Sequence, residues 1–195
     1  MQRSYCEGEQ SMADLKITEL TDLGAATARE DLLFLIDDPD GSPNNVKVTI
    51  GDAENALRAP VINGDAALTV TEALHGGRIV FQSNVSADRI ITLPTPKAGL
   101  TFRFCSHNLT AADDADVQFQ ISGGGTGLFY QGGITFLDTD NAISGIFTDN
   151  NSNDFLNVHI PVHYDITFVG SSATLYLVTG FVTSATAPTF ADAAD

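Results

Sequence analysis

The sequence predicts a mainly β protein, an antiparallel β-sandwich or jelly-roll-like barrel carrying a small N-terminal strand-loop-strand-helix module. Three observations predict it. From residue 61 onward, short apolar or alternating runs recur at roughly 8–12-residue spacing with turn residues between them, the signature of a sandwich or barrel. Two of these runs alternate cleanly: Leu100, Phe102 and Phe104 fall on one strand face with Thr101 and Arg103 on the other, and Val117, Phe119 and Ile121 alternate with Gln118 and Gln120. Helical periodicity is nearly absent from the same stretch.

Residues 1–13 are polar and aperiodic and read as a flexible leader. They lack the apolar core of a signal peptide and read as an extension upstream of a second start at Met12. Residues 14–60 form a unit of their own. Leu15, Ile17, Leu20 and Leu23 are its first apolar positions. Leu32, Leu33, Phe34, Leu35 and Ile36 form a buried-strand signal, and the run from Asp37 to Asn45 is dense in turn residues. Val46, Val48 and Ile50 alternate with Lys47 and Thr49 as a half-exposed strand. Gly51-Asp52 then caps a short helix over residues 53–58, ahead of Pro60. Such a unit is too small to bury a full core and is expected to dock on something.

The β-domain is expected over residues 61–183. Its strands are placed at 67–71, 78–82, 89–93, 100–105, 116–121, 134–137, 143–147, 155–160, 165–169 and 174–182. Residues 184–195, rich in Ala, Thr and Pro, read as an acidic tail trailing along a surface.

Composition narrows the function. The chain has 195 residues, 43% hydrophobic and 17% charged, and its 9 Lys+Arg against 25 Asp+Glu give a net charge of -16. The deficit is spread along the chain, with 12 acidic and 5 basic residues in positions 1–60 and 13 and 4 in positions 61–195. A uniformly negative chain is repelled by phosphate backbones and anionic membranes, so neither nucleic acid nor membrane is expected as a partner. Cys6 and Cys105 are too few for a disulfide framework or a four-ligand zinc site.

Motifs for chemistry are weak. There is no Gly-x-Ser-x-Gly, P-loop, His-Glu-x-x-His or Cys-x-x-Cys pattern. The glycine-rich run 123–127 is followed by neither Lys nor helix and reads as a turn. His159 and His163 flank Pro161, which argues against a helix; on a strand they sit about 13 Å apart, too far for one ion. Asp37, Asp38 and Asp40, then Asp113, Asp114 and Asp116, then Asp138 and Asp140 form acidic turns. Oxygen ligands at this density hold Ca2+ in other contexts, but Asp also favours turns for local hydrogen-bonding reasons. No catalytic residue, metal site or cofactor is assigned, and the expectation is a non-enzymatic protein. Three Asn-x-Ser/Thr matches, at Asn84, Asn108 and Asn150, read as chance.

The string Ala13 to Leu20, with the strands 31–39 and 46–50, resembles a module at the N-termini of tailed-bacteriophage virion proteins. The remainder resembles a phage β-domain. The matching residues are Gly77-Arg78-Ile79-Val80-Phe81, then Leu93-Pro94-x-Pro96-x-Ala98-Gly99-Leu100-x-Phe102-x-Phe104. Asp165 to Gly170 and a terminal strand ending Val178-Thr179-Gly180 complete the match. The terminal strand departs from the pattern in carrying Tyr176 where a Trp is expected. The resemblance implies a capsid decoration (cement) protein on the outer capsid surface of a virion, bound to the major capsid protein and stabilising the lattice. The alternative is a tail-fibre or receptor-binding module for host surface glycan. On the decoration reading, Leu15, Ile17, Leu20 and Leu23 contact the capsid. A homotrimer is expected partly from the resemblance and partly because the apolar run 173–182, with Leu175, Tyr176, Leu177 and Phe181, is hazardous as an uncovered edge. The competing expectation is that this run is a central strand of the chain's own sheet.

Overall fold

The computed structural model describes residues 32–37, 44–49, 53, 56–106, 109–112, 114–124, 127–140 and 142–193. The chain divides into two units, Met1–Ala53 and Glu54–Asp195. In the first, β1 (Leu32–Asp37) pairs antiparallel with β2 (Asn44–Thr49), Leu32 opposite Thr49 and Asp37 opposite Asn44. The two strands are those expected from the apolar run and the alternating run on either side of the turn-rich segment.

The second unit is a β-sandwich. Its strands are β3 (Val61–Asn63), β4 (Leu68–Thr69), β5 (Ile79–Gln82), β6 (Arg89–Leu93), β7 (Thr101–Ser106), β8 (Val117–Ile121), β9 (Phe129–Asp138), β10 (Ile143–Phe147), β11 (Phe155–Val158), β12 (His163–Gly170), β13 (Leu175–Ser184) and β14 (Thr189–Ala191). Residues 53 and 56–58 are helical, as expected of the 53–58 stretch, and a further short helix, α1 (Glu72–His75), follows β4 and is capped by Thr71, whose hydroxyl accepts from Leu74 N. One sheet has seven strands in the order β10-β9-β13-β12-β7-β5-β3, the other five in the order β14-β11-β8-β6-β4. Among the described residues each sheet is open, ending on two strands that do not pair with each other, so the fold is not a closed barrel.

The sheets are mixed rather than antiparallel. From β3 to β8 the chain alternates between them, and each strand pairs parallel with the one two elements earlier: β3 with β5, β5 with β7, β4 with β6, β6 with β8. This half is wound as a coil. Parallel neighbours need a long crossover, and here a strand of the opposite sheet supplies it, so each turn covers both sides of the core. From β9 onward pairing is antiparallel, except that β13 runs parallel to β9. The period-2 pattern of a strand with one buried face is the same whichever way its neighbour runs, so the alternation did not distinguish the two arrangements.

The core lies between the sheets. Phe104 of the seven-stranded sheet meets Phe119 of the five-stranded sheet with ring centroids 5.1 Å apart. Phe168 stands at the centre, with Phe119 at 5.3 Å, Tyr130 at 5.4 Å, Phe104 at 6.0 Å and Tyr176 at 6.4 Å. All of these rings are fully buried. Such tilted and edge-on pairs place the positive ring edge against a negative ring face.

Three elements differ from the sequence reading. The 61–63 strand and α1 are additions. The segment expected as a trailing tail contributes a strand instead: β14 pairs with β11, and Phe190 turns inward to lie 6.3 Å from the Tyr130 ring. One aromatic residue at the middle of an otherwise small-residue segment is enough to anchor it to the core edge.

Candidate functional site

The two outer faces of the sandwich differ in chemistry. On the five-stranded sheet, residues facing away from the core are mostly uncharged hydroxyls and amides, Thr69, Thr92, Gln118, Gln120, Asn157 and Thr189, with Ile90 and Phe155 among them. Gln120 Nε2 donates to Thr92 Oγ1 at 3.2 Å. This is the usual solvated outer face of a half-buried sheet.

On the seven-stranded sheet the outward positions mix large apolar side chains with uncharged polar ones. The apolar ones run from Ile62 on β3 and Ile79 and Phe81 on β5, through Val169 on β12 and Leu175, Leu177 and Phe181 on β13, to Ile143 and Phe147 on β10, and between them lie Thr101, Gln131, Thr135, Thr167, Thr179 and Thr183. Ile62 is 64% exposed, Leu177 39%, Ile143 75% and Phe147 74%. The outward charges on this face are Arg103 and Asp165, and they cancel. Arg103 Nε donates to Asp165 Oδ1 at 2.9 Å and its Nη2 to Asp165 Oδ2. The Arg103 contact holds the Asp165 carboxyl below its ordinary pKa. Cys105, beside this pair and 8% exposed, has its thiol pushed up to about 11, chiefly by burial and then by the Asp165 charge. A thiol held protonated is a poor nucleophile.

The face is large enough to matter. Seven strands about 4.8 Å apart span about 29 Å, and eight residues of β12 run about 26 Å. That approaches the roughly 800 Å² each partner buries in a standard interface. On a chain of net charge -16, an uncharged face of this size is the place where another surface approaches with least repulsion.

The expected subunit-contact residues fall partly on this face. β13 is not an edge: β9 flanks it on one side and β12 on the other. The uncovered edge that motivated the trimer is therefore absent, and the run 173–182 is a central strand of the chain's own sheet. Tyr176 is fully buried, its hydroxyl donating to Pro94 O at 3.1 Å, and belongs to the core rather than to a contact surface. Leu175, Leu177 and Phe181 point outward. Leu15, Ile17, Leu20 and Leu23, the expected capsid contacts, lie outside the described residues.

The other sequence candidates are placed separately. His159 Nδ1 lies 3.0 Å from Asp116 Oδ2, and Asn157 Nδ2 and Ile160 N also donate to that carboxylate. His163 instead contacts Ser106 Oγ through Nδ1 and lies 5.3 Å from the Phe181 ring. Among the described residues no three His, Cys, Asp or Glu side chains group as metal ligands. Asp138 accepts from Asp140 N at 3.0 Å, a local turn bond of the kind Asp favours. No helix among the described residues is long and apolar enough to cross a membrane.

Sequence reasoning missed the exposed pair Ile143 and Phe147. The sequence marks 143–147 as a strand, but its exposure follows from its place at the end of the sheet, which no local pattern carries. Comparison with family models, curated proteins and solved structures returns no match to this chain.

Proposed function

We propose that the chain is a non-enzymatic virion structural protein of tailed-phage type, a capsid decoration protein that binds the assembled outer lattice and stabilises it. The observation supporting this reading is the broad outer face of the seven-stranded sheet, which exposes Ile62, Leu177, Ile143 and Phe147 and whose Arg103–Asp165 charges compensate each other, joined to the sequence resemblance. A protein whose task is attachment needs a rigid scaffold and a broad contact surface, and a partner that binds only assembled lattice stabilises it by mass action. Many copies bound across a lattice contribute without any one contact being strong.

The test is binding to undecorated capsids of the cognate phage, with copy number per particle measured by electron microscopy. Saturable occupancy at hundreds of sites on the capsid supports the reading. Leu177→Glu, on the outer face of β13, is expected to weaken that binding at least tenfold while leaving the melting temperature unchanged. Full binding by Leu177→Glu, or a handful of copies confined to the tail, overturns it.

A second reading, glycan recognition by a tail appendage, draws on a different feature. A groove of about 370 Å³ at the edge of the five-stranded sheet is lined by Gln120, Phe155, Ala191, Asp192 and Ala193. It combines a half-buried ring with an amide and a carboxylate, groups that pack on and hydrogen-bond to sugar hydroxyls. Binding of host surface polysaccharide that Phe155→Ala abolishes favours this reading over decoration.

A further inference from the structure

β10 ends the seven-stranded sheet, and its antiparallel register on β9 fixes where its backbone groups point. Ile143 faces Leu137, Gly145 faces Thr135 and Phe147 faces Gly133. Just outside the strand, Asp138 N donates to Ala142 O at 2.9 Å and Thr148 N to Gly132 O at 3.1 Å. Because bonded and non-bonded positions alternate along an antiparallel pair, residues 142, 144, 146 and 148 turn their N–H and C=O groups toward β9. Ile143, Gly145 and Phe147 turn theirs outward, and none of the three is proline. Among the described residues no strand pairs with this edge.

The edge lacks the usual protections. Natural sheets guard an edge with Lys, Pro, a bulge or an inward charge. β10 reads Ile143-Ser144-Gly145-Ile146-Phe147, with no charge, and its ladder to β9 runs without a bulge. Two of the residues that offer free backbone groups, Ile143 and Phe147, also project side chains on the outer face and are about three-quarters exposed. The Phe147 ring lies over its own sheet: a Cβ on Gly133 would stand 2.7 Å from its Cδ1, and one on Gly145 would stand 2.7 Å from its Cε2. The ring therefore roofs Gly145 on the outer face, while the strand's edge, where the Gly145 N–H and C=O point, carries no side chain of its own and is open to a second backbone.

We propose that β10 is a self-pairing edge, joining two copies of this chain antiparallel about a two-fold axis at Gly145. The strand is its own complement. With Gly145 opposite its copy, Ile143 of each chain faces Phe147 of the other, and the outward groups form about six backbone hydrogen bonds. The two cross-strand Ile–Phe pairs flank a glycine pair, so no β-carbon stands on the axis and the Phe147 rings lie over the glycines. The apolar outer faces of both sheets become one surface of fourteen strands, a wider platform of the same chemistry. The arrangement is isologous and closes at two copies. Two chains carry twice the -16 charge, and the acidic residues nearest the edge, Asp138, Asp140 and Asp149, sit at the two ends of β10. Their repulsion across the axis is screened by salt, so pairing strengthens as ionic strength rises.

The experiment is sedimentation equilibrium on the full chain, with amide hydrogen exchange at low and high concentration. Mass is expected to rise from 20.6 kDa toward twice that value over about 1–100 µM, the range typical of a modest interface. Protection at Ile143, Gly145 and Phe147 is expected to appear only at the higher concentration. Gly145→Pro removes an outward N–H that β9 does not use, and Ile143→Lys with Phe147→Lys charges the edge without touching the core. Both are expected to stay at single-chain mass with unchanged circular dichroism. A wild-type chain that remains single at 100 µM, a three-chain mass, or association that survives both variants overturns the proposal. None of these readouts involves capsids, so they stand or fall apart from the decoration reading.

Discussion

Phe168 and Phe147 are the same residue type in opposite settings, and truncating each to alanine should separate core energetics from surface contact. Phe168 is fully buried on β12 and touches four other rings, those of Phe104, Phe119, Tyr130 and Tyr176. Buried Phe→Ala costs about 3–5 kcal/mol from lost transfer energy and the cavity left behind. Four ring partners, on both sheets, leave little room for collapse and place this site in the upper half, at about 4–5 kcal/mol. For a chain of this size each kcal/mol lowers the melting temperature by about 2–4 °C, so the expected loss is about 8–20 °C. Phe147 is 74% exposed on an edge strand, and its truncation should shift stability by no more than about 0.5 kcal/mol, under about 2 °C. The assay is thermal and urea unfolding by circular dichroism at sub-micromolar concentration, below the range in which self-association is expected. Equal losses for the two variants, or a Phe168→Ala cost below about 1.5 kcal/mol, would refute the placement of the core between these sheets.

Gly180 has φ +144 and a Cβ there would collide with Asp165 O. Gly180→Ala should therefore cost at least about 1–3 kcal/mol from backbone strain, whereas Gly64→Ala, with open space around it, should be close to neutral in the same unfolding assay. His75 is 4% exposed, its pKa held below the ordinary 6.5 chiefly by burial, and its Nδ1 accepts from Thr71 N at 3.0 Å. The unfolded chain then takes up the proton more readily than the folded one, so stability should fall as pH drops below about 6.5; His75→Gln should flatten that slope between pH 7.5 and 5, and an unchanged slope would assign it to other groups. Cys105, with its thiol near 11, should be alkylated at pH 8 about a hundredfold more slowly than in the denatured chain, read by peptide mass spectrometry; equal rates would contradict its burial.

Much of the fold was legible because one-sided burial imposes a two-residue period on any strand. Phe102 and Phe104, or Val117, Phe119 and Ile121, announce their inward face whatever lies beside them. Ten expected runs correspond to strands, and the turn-rich gap between residues 37 and 45 separates β1 from β2 as read. What a period does not carry is the identity and direction of the neighbouring strand. Those are set by how the chain crosses between sheets, and the coil from β3 to β8 arises because each crossover is itself a strand of the other layer. Short elements escaped for a related reason: β3 and β14 have too few residues to show a period and are held by packing, β14 through the single ring of Phe190.

The candidate site divides along the same line. The sequence by itself determined the alternation of each strand, the excess of negative charge and the absence of a recognisable catalytic motif. Only the tertiary structure decided that β13 is internal, which moved Tyr176 into the core, and that β10 is an edge, which left Ile143 and Phe147 in solvent. Both runs are apolar strands in the sequence. Which one faces water depends on sheet order, and sheet order is fixed by contacts between residues far apart in the chain, such as Leu175 with Phe129 and Asp165 with Cys105.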